Sequence, residues 1–247
     1  IHFEERPIPN VGAEQILVRV RACGINHLDI WVRKGVPGHK FPLPLVPGSD
    51  IAGIVEQVGS QVTQLKVKDR VLINPGIFCG QCIGCKEGAE NLCSKWGLLG
   101  ETRDGGCQEY IVVDARQAYV LSNAFSFEKA ACIPITFITA WHMLVGKAKV
   151  KAGEKILIHA AGSGVSVACI QIAKFLGLSV FVTSSSEEKL FKAKSLGVDR
   201  FINTAKENFT ETVRNLTSKQ GVDVVIDHVG APTFMDSIRC LRRGGRL

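Results

Sequence analysis

Cys79, Cys82, Cys85 and Cys93 stand in the pattern C-x2-C-x2-C-x7-C, with Gly80, Gly84 and Gly88 among them. Thiolates are soft ligands, and tight glycine turns at this spacing let four of them close a tetrahedral shell around Zn2+. Such a shell has no open position, so the zinc would be structural. An iron–sulfur cluster and four free thiols are the other readings of the same residues. The remaining cysteines, Cys23, Cys107, Cys132, Cys169 and Cys240, read as small buried apolar residues. Nine cysteines in 247 residues, four of them at ligand spacing, suit a reducing compartment, and the cytoplasm is expected.

A second chemistry is written between Glu154 and Lys174, EKILIHAAGSGVSVACIQIAK. Lys155 to His159 reads as a buried strand and Val165 to Phe175 repeats apolar residues at helical spacing. Between them a glycine turn aims free backbone N–H groups and a helix dipole at one point, which suits a pyrophosphate. Gly162, Ser163, Gly164 and Val165 are the expected donors. Ser166 and Val167 stand where a third glycine could fall, and an ordinary strand-to-helix turn is the plain alternative. The next strand ends Val182-Thr183-Ser184-Ser185-Ser186, with Ser184 where an acid would bind a ribose 2′-hydroxyl. No carboxylate is there to repel a 2′-phosphate. Ser184 and Ser185 can donate hydrogen bonds, and Lys189 adds a positive charge one helical turn onward, so NADP(H) is expected over NAD(H). The serines also suit a cap for a helix beginning at Glu187.

These residues need two kinds of scaffold. Gln15 to Ala22 alternates apolar and basic residues with the period of a half-buried strand, and Gly48–Val58, Arg70–Asn74 and Tyr110–Val113 are further extended segments bounded by Gly, Pro or Asp. A small barrel or sandwich is predicted there. Helices are predicted after Ser126 and over Thr139–Val145. From Lys155 strands at 155–159, 179–183, 200–203 and 222–227 alternate with helices, notably Glu187–Ser195 and Glu207–Thr217, which predicts a parallel sheet covered on both faces. Four strands are few for a doubly wound domain, and Leu247 follows what reads as a turn into another strand, so a missing C-terminal part is expected. The division predicted is 1–125 and 126–247. The composition, 46% hydrophobic and 21% charged, is globular. The net charge of +7 is scattered, apart from Arg239, Arg242, Arg243 and Arg246, and suits an anionic cofactor better than nucleic acid. No run of about 18 apolar residues is visible, so no membrane partner is expected.

A barrel-like first half, a four-cysteine lobe and a glycine-turn nucleotide half together resemble the medium-chain dehydrogenase/reductase superfamily. Arg21-Ala22-Cys23-Gly24-Ile25-Asn26-His27-Leu28-Asp29 is similar to its first active-site segment and Pro47-Gly48-Ser49-Asp50-Ile51-Ala52-Gly53 to its second. Ala161–Lys174 resembles its cofactor turn and helix, and Asp223–Gly230 the strand flanking the cofactor. The resemblance implies an α/β chain: a GroES-like β-rich catalytic domain with a structural zinc lobe at 79–93, joined to an incomplete Rossmann NADP(H)-binding domain, with the active site in the cleft between them. It also implies a small-molecule substrate and a homo-oligomer, dimer or tetramer.

In the zinc-dependent alcohol dehydrogenases of that family a catalytic zinc is held at positions that fall on Asn26, Ser49 and Ile135, and a relaying hydroxyl falls on Leu28. None of the three is a usual zinc ligand, and without a Lewis acid an alcohol loses the main aid to its deprotonation. An alternative metal set from His27, Asp29 and Asp50 stays open. The remainder resembles the zinc-free quinone oxidoreductase and enone reductase branch, whose first segment has the form C-G-x-N-x-x-D. That branch implies hydride transfer from a nicotinamide to a quinone or activated double bond, with Asn26 lining the nicotinamide pocket and Thr139 contacting the nicotinamide side. His27 would meet a phosphate, act as an acid, or be an ordinary hydrogen-bonded histidine. Asp29 and Asp50 are expected to hold neighbouring groups by hydrogen bonds rather than to act as acids or bases. Alcohol dehydrogenase chemistry and a non-catalytic NADPH-binding role are the alternatives.

Overall fold

The computed structural model describes residues 1–247 and divides into two compact units, Ile1–Ile135 and Thr136–Leu247. The first unit contains, in chain order, β1 (Gln15–Gly24), α1 (His27–Lys34), β2 (Asp50–Val58), β3 (Arg70–Ile73), β4 (Gly76–Ile77), α2 (Ile83–Lys86), β5 (Gly97–Leu98), β6 (Tyr110–Asp114), β7 (Ala118–Val120) and α3 (Phe127–Ala130). Five strands form an antiparallel sheet in the order β6-β1-β2-β3-β7, and β4 pairs with β5 apart from it. Period-two patterning explains the face that is buried. Ile16 and Val18 on β1 point into the same core as Ile51 and Val55 of β2, Val71 and Ile73 of β3, and Ile111 and Val113 of β6. The register of β1 against β2 shifts between Val20 and Ala22, just before the chain leaves the sheet for α1.

The second unit follows α4 (Pro134–Trp141), which starts earlier than the predicted Thr139 because Pro134 suits the first helical position, and which runs into a π-helical turn at His142–Lys147. Then come β8 (Lys155–Ile158), α5 (Gly164–Phe175), β9 (Ser179–Ser184), α6 (Glu187–Ala193), β10 (Arg200–Asn203), α7 (Phe209–Leu216), β11 (Val222–Ile226), α8 (Phe234–Cys240) and β12 (Leu241–Arg246). All five strands run parallel in the order β10-β9-β8-β11-β12. Ile156, Leu157 and Ile158 of β8 are fully buried, as expected for a strand covered on both faces. Ile156 and Ile158 pack with α5 and α6, and Leu157 with Val213 of α7 and Cys240 of α8.

Two sequence expectations change here. A fifth strand, β12, is present where four were expected. Its sequence LRRGGR carries no strand signal, and it is held by pairing with β11 and by ion pairs of Arg242 with Asp223 and Arg246 with Glu154. With Arg239 paired to Asp236, three of the four clustered arginines serve local contacts. Secondly, the helical stretch Phe127–Lys147 is long and apolar enough, by length and composition, to cross a membrane. A turn at 131–133 interrupts it. Ala130 and Ala131 lie in one core while Ala140 and Leu144 lie in another, and core helices satisfy the same criterion.

The turn from β8 to α5 places its positive φ, 53°, on Ala160 and on none of the nearby glycines. The left-handed region costs a residue with a Cβ about 1–2 kcal/mol. Glycine there would relieve that strain and lose part of the gain to its freer unfolded chain. Ala160→Gly is therefore expected to stabilise the full-length protein by about 0.5–1 kcal/mol. Thermal denaturation checks this, and a lowered melting temperature would show that the turn is unstrained.

Candidate functional site

The polar cluster of the first unit is built on two buried carboxylates. Asn26 ends the sheet excursion from β1 and caps α1, and Asp29 reaches back one turn so that its Oδ2 accepts from Asn26 N at 2.7 Å. The other oxygen of Asp29 accepts from Gly48 N at 2.8 Å. Asp50 begins β2, and its oxygens accept from Asn26 Nδ2 at 2.9 Å and Ile135 N at 2.7 Å. Burial pushes the Asp50 carboxyl up, with the Asn26 and Ile135 donors opposing it. Ser49 is fully buried and its hydroxyl donates to Leu99 O at 2.7 Å. His27 is exposed at the start of α1, its ring 5.8 Å from that of Trp31. The structure thus brings Asn26, Asp29 and Asp50 together and leaves His27 outside the cluster. Thr139 lies on α4 in the second unit, exposed.

The four cysteines converge as the spacing predicts. All four sulfurs lie within 4.8 Å of one another, with Cys82 to Cys85 at 3.5 Å and Cys79 to Cys85 at 3.9 Å. A tetrahedron of zinc–sulfur bonds has edges of about 3.8 Å, so the donor set fits the ion. Backbone N–H groups of Gln81 and Cys82 point at Cys79 Sγ and bring its thiol down to about 6. Those of Cys79 and Lys95 point at Cys93 Sγ. These are the only His, Cys, Asp or Glu side chains grouped closely enough to share an ion. His27, Asp29 and Asp50 form no such group.

In the second unit the chain passes from β8 outward to β9 and β10, then returns to β11 on the other side of β8. That reversal makes the carboxyl ends of β8 and β11 a switch point, where parallel sheets open a crevice. The glycine turn lies there. Ser163 precedes α5, whose first-turn N–H groups at Gly164 and Val165 have no carbonyl within the helix to bond. Lys189 of α6 lies over the turn: a Cβ on Gly162 would stand 2.6 Å from its Cδ. Ser184 is buried and its Oγ accepts from Ser186 N at 3.1 Å, Ser185 is exposed, and Ser186 caps α6 by accepting from Lys189 N. The helix-capping role open to these serines is therefore filled by Ser186, leaving Ser185 just past the end of β9 and the Lys189 side chain in the first turn of α6.

Sequence reasoning missed a buried chain behind this turn. His159 Nδ1 lies 2.8 Å from Thr183 Oγ1 and its Nε2 2.9 Å from Ser237 Oγ, which donates to Asp227 Oδ2 at 2.6 Å. Because Ser237 gives its proton to Asp227, it must accept from His159 Nε2–H, and Nδ1 accepts from Thr183. Burial lowers the His159 pKa, so the neutral imidazole this pattern needs is the stable form. Ser166, at the place of a third glycine, is also buried, donates to His159 O at 2.7 Å and lies 3.3 Å from His228 Nε2. The run DVVIDHVG holds two of these residues, but nothing in its spacing points to His159 or Ser237. The expectation that the five scattered cysteines are all buried also fails: Cys107 and Cys132 are exposed.

An antiparallel unit carrying a polar loop cluster and a four-cysteine lobe, followed by a parallel unit with its glycine turn at the switch point, defines a dehydrogenase-type architecture of GroES-like and Rossmann-like parts. Comparison with known proteins agrees. The model of the alcohol dehydrogenase GroES-like domain matches residues 12–123, and that of zinc-binding dehydrogenase matches residues 164–247. Quinone oxidoreductase of Homo sapiens is 30% identical over 241 residues, 98% of this chain and 65% of that protein. A crystal structure of an NAD-dependent alcohol dehydrogenase is 46% identical with a TM-score of 0.95, over 98% of this chain and 71% of that one. A zinc-binding dehydrogenase of Sinorhizobium meliloti 1021 bound to NADP is 29% identical with a TM-score of 0.86, over 96% and 69%. The chain belongs to the medium-chain dehydrogenase/reductase superfamily. It spans about 65% of the length of the quinone oxidoreductases it matches.

Asp227 gives the site a pH signature. Desolvation pushes its carboxyl up, but donors from Ser237, Gly230, Thr233 and Val229 outweigh this and bring it to about 2. A depressed acid contributes stability above its unfolded value of 3.8, and that contribution is lost as the pH falls through about 2. Asp227→Asn should melt at a lower temperature at pH 7 and show a flatter pH dependence between about pH 4 and 2. Circular dichroism melts across that range check it; matching slopes in variant and parent would remove Asp227 from the account.

Proposed function

We propose that this chain is the greater part of an NADPH-dependent oxidoreductase that transfers hydride to a quinone, an enone or a related carbonyl compound. On this reading Cys79, Cys82, Cys85 and Cys93 hold a structural zinc, and no catalytic zinc takes part. One observation carries it: the residues at the catalytic-zinc positions are committed elsewhere. The Asn26 amide donates to Asp50, the buried Ser49 hydroxyl donates to Leu99 O, and Ile135 offers only hydrocarbon. An Nδ2 that donates to a carboxylate presents a proton, not a lone pair, to its surroundings, and this donor set does not suit a cation.

NADPH supplies the hydride when bound. The chain's part is to hold and orient: Gly164 and Val165 N–H groups toward phosphate, Ser184, Ser185 and Lys189 toward the 2′-phosphate end, and Thr139 toward the nicotinamide. Asp29 and Asp50 fix the Asn26 loop, so the second Nδ2 hydrogen is left to donate to a substrate oxygen as negative charge gathers on it. A quinone already carries electrophilic carbonyls and needs no Lewis acid to accept hydride. His27, being exposed, suits contact with a cofactor phosphate better than proton transfer within the cluster. The reading also places the protein in the cytoplasm as a homo-oligomer acting on small molecules, with neither nucleic acid nor membrane as partner.

The 46% identity to an NAD-dependent alcohol dehydrogenase favours a second reading, alcohol oxidation with NAD. Metal analysis and turnover of the full-length protein separate the two. One zinc per chain, lost in Cys85→Ser, with NADPH oxidised by a simple quinone, is the expected result; two zincs per chain with alcohol-dependent NAD reduction would replace it. Lys189→Ala should raise KM for NADPH roughly tenfold or more and leave KM for NADH nearly unchanged, since a charge-assisted contact to phosphate is lost. Equal effects on the two cofactors would remove the 2′-phosphate role.

A further inference from the structure

We propose that Cys107 and Cys23 form a redox-modification site, in which the exposed Cys107 is oxidised by a small hydroperoxide and Cys23 resolves it to an intramolecular disulfide beneath Gly48. The two sulfurs lie 3.9 Å apart, Cys23 near the end of β1 and Cys107 in the turn before β6. Cys107 is open to solvent and Cys23 is half-buried, so one thiol can meet a reagent and the other waits behind it.

The backbone around the pair is shaped to admit both sulfurs. A Cβ on Gly48 would stand 2.4 Å from Cys23 Sγ and 2.8 Å from Cys107 Sγ, and the φ of 97° at Gly48 is one that few other residues adopt. A Cβ on Gly106 would stand 3.0 Å from Cys23 Sγ. The Cys107 turn is pinned to the same loop by Cys107 N donating to Pro47 O at 2.9 Å and Gly106 N donating to Gly48 O at 2.7 Å. A disulfide bond is about 2.05 Å long, so the sulfurs must approach by about 1.9 Å.

Roles follow from access. Cys107 is open to solvent, whereas Cys23 is half-buried and its thiol is held up by the contact with Cys107, by burial and by the nearby carboxylates of Asp29 and Asp50. Cys107 is therefore the nucleophile. Its sulfur attacks one peroxide oxygen, the O–O bond breaks, and the departing oxygen takes a proton to leave as water or an alcohol. This leaves Cys107 as a sulfenic acid. The Cys23 sulfur then attacks the Cys107 sulfur, the S–O bond breaks, and hydroxide leaves with the Cys23 proton as water. Two thiols are oxidised to one disulfide, and one hydroperoxide is reduced.

The bond would act on the neighbouring polar cluster. Gly48 N is held by Asp29, and Cys23 lies three residues before Asn26. Any effect on turnover rests on the reading of Asn26 given above, whereas the sulfur chemistry does not.

Treatment of the full-length, zinc-loaded protein with hydrogen peroxide, followed by peptide mapping, tests the site. The expected product is a Cys23–Cys107 linked peptide that has lost two hydrogens and is restored by a thiol reductant. Cys107 should be consumed at least about tenfold faster at pH 7 than Cys132, which is also exposed and serves as the internal reference. Cys23→Ser should stop at a Cys107 sulfenic acid trapped by dimedone, and Cys107→Ser should yield neither product. Should unmutated protein give no Cys23–Cys107 peptide while Cys107 and Cys132 oxidise at equal rates, the site is refuted, even if quinone turnover is present. A linked peptide in a protein without quinone turnover would sustain the site and reject the functional reading.

Discussion

Two buried carboxylates hold the first unit's functional loops in place. Asp29 and Asp50 together accept from Asn26 N, Gly48 N, Asn26 Nδ2 and Ile135 N, tying the end of β1, the loop before β2 and the start of α4 into one cluster. A buried carboxylate is costly unless its oxygens are matched by donors, and here the backbone supplies three of the four. The arrangement is therefore self-consistent: the loops satisfy the acids, and the acids fix the loops. Asn26 inherits a single orientation from this, which is why its chemistry can be read at all.

The second unit solves a comparable problem with neutral groups. The sheet reverses its strand order beside the carboxyl end of β8. His159, just beyond that end, ties Thr183 on β9 to Ser237 on α8, with Asp227 terminating the chain of donors. Thr183 donates to Nδ1, Nε2–H donates to Ser237 and Ser237 donates to Asp227, so the order of protons along the line is fixed. Ser166 extends the same network to the first turn of α5, which turns an apparent defect of the glycine motif into a tie between helix and strand.

The four-cysteine lobe stands apart from both. Its sulfurs are gathered by local turns and by backbone N–H groups at Cys79 and Cys93, all from within residues 79–95. A site built from one short segment depends little on the rest of the fold. The Cys23 and Cys107 pair is the opposite case, since the two thiols lie 84 positions apart in the chain and are brought close by the antiparallel pairing of β1 with β6 and by the hydrogen bonds from the Cys107 turn to Pro47 and Gly48.

The sequence by itself determined whatever depends on local spacing. The metal-binding set is legible because its ligands lie within one short stretch. The strand periods of β1 and β8 to β11 follow from alternating or continuous apolar runs, and the glycine turn from its place between strand and helix. Tertiary structure alone decided what depends on distant partners. The strand β12 has no apolar signal of its own and exists through pairing with β11. His159 looks like the last residue of a strand until Ser237, 78 positions later, meets its ring. The positive φ of the turn falls on Ala160 because the path between β8 and α5 sets it, whatever the residue type. Cys107 resembles any small interior residue until folding leaves it exposed, since solvent access belongs to the packed chain and to no segment alone.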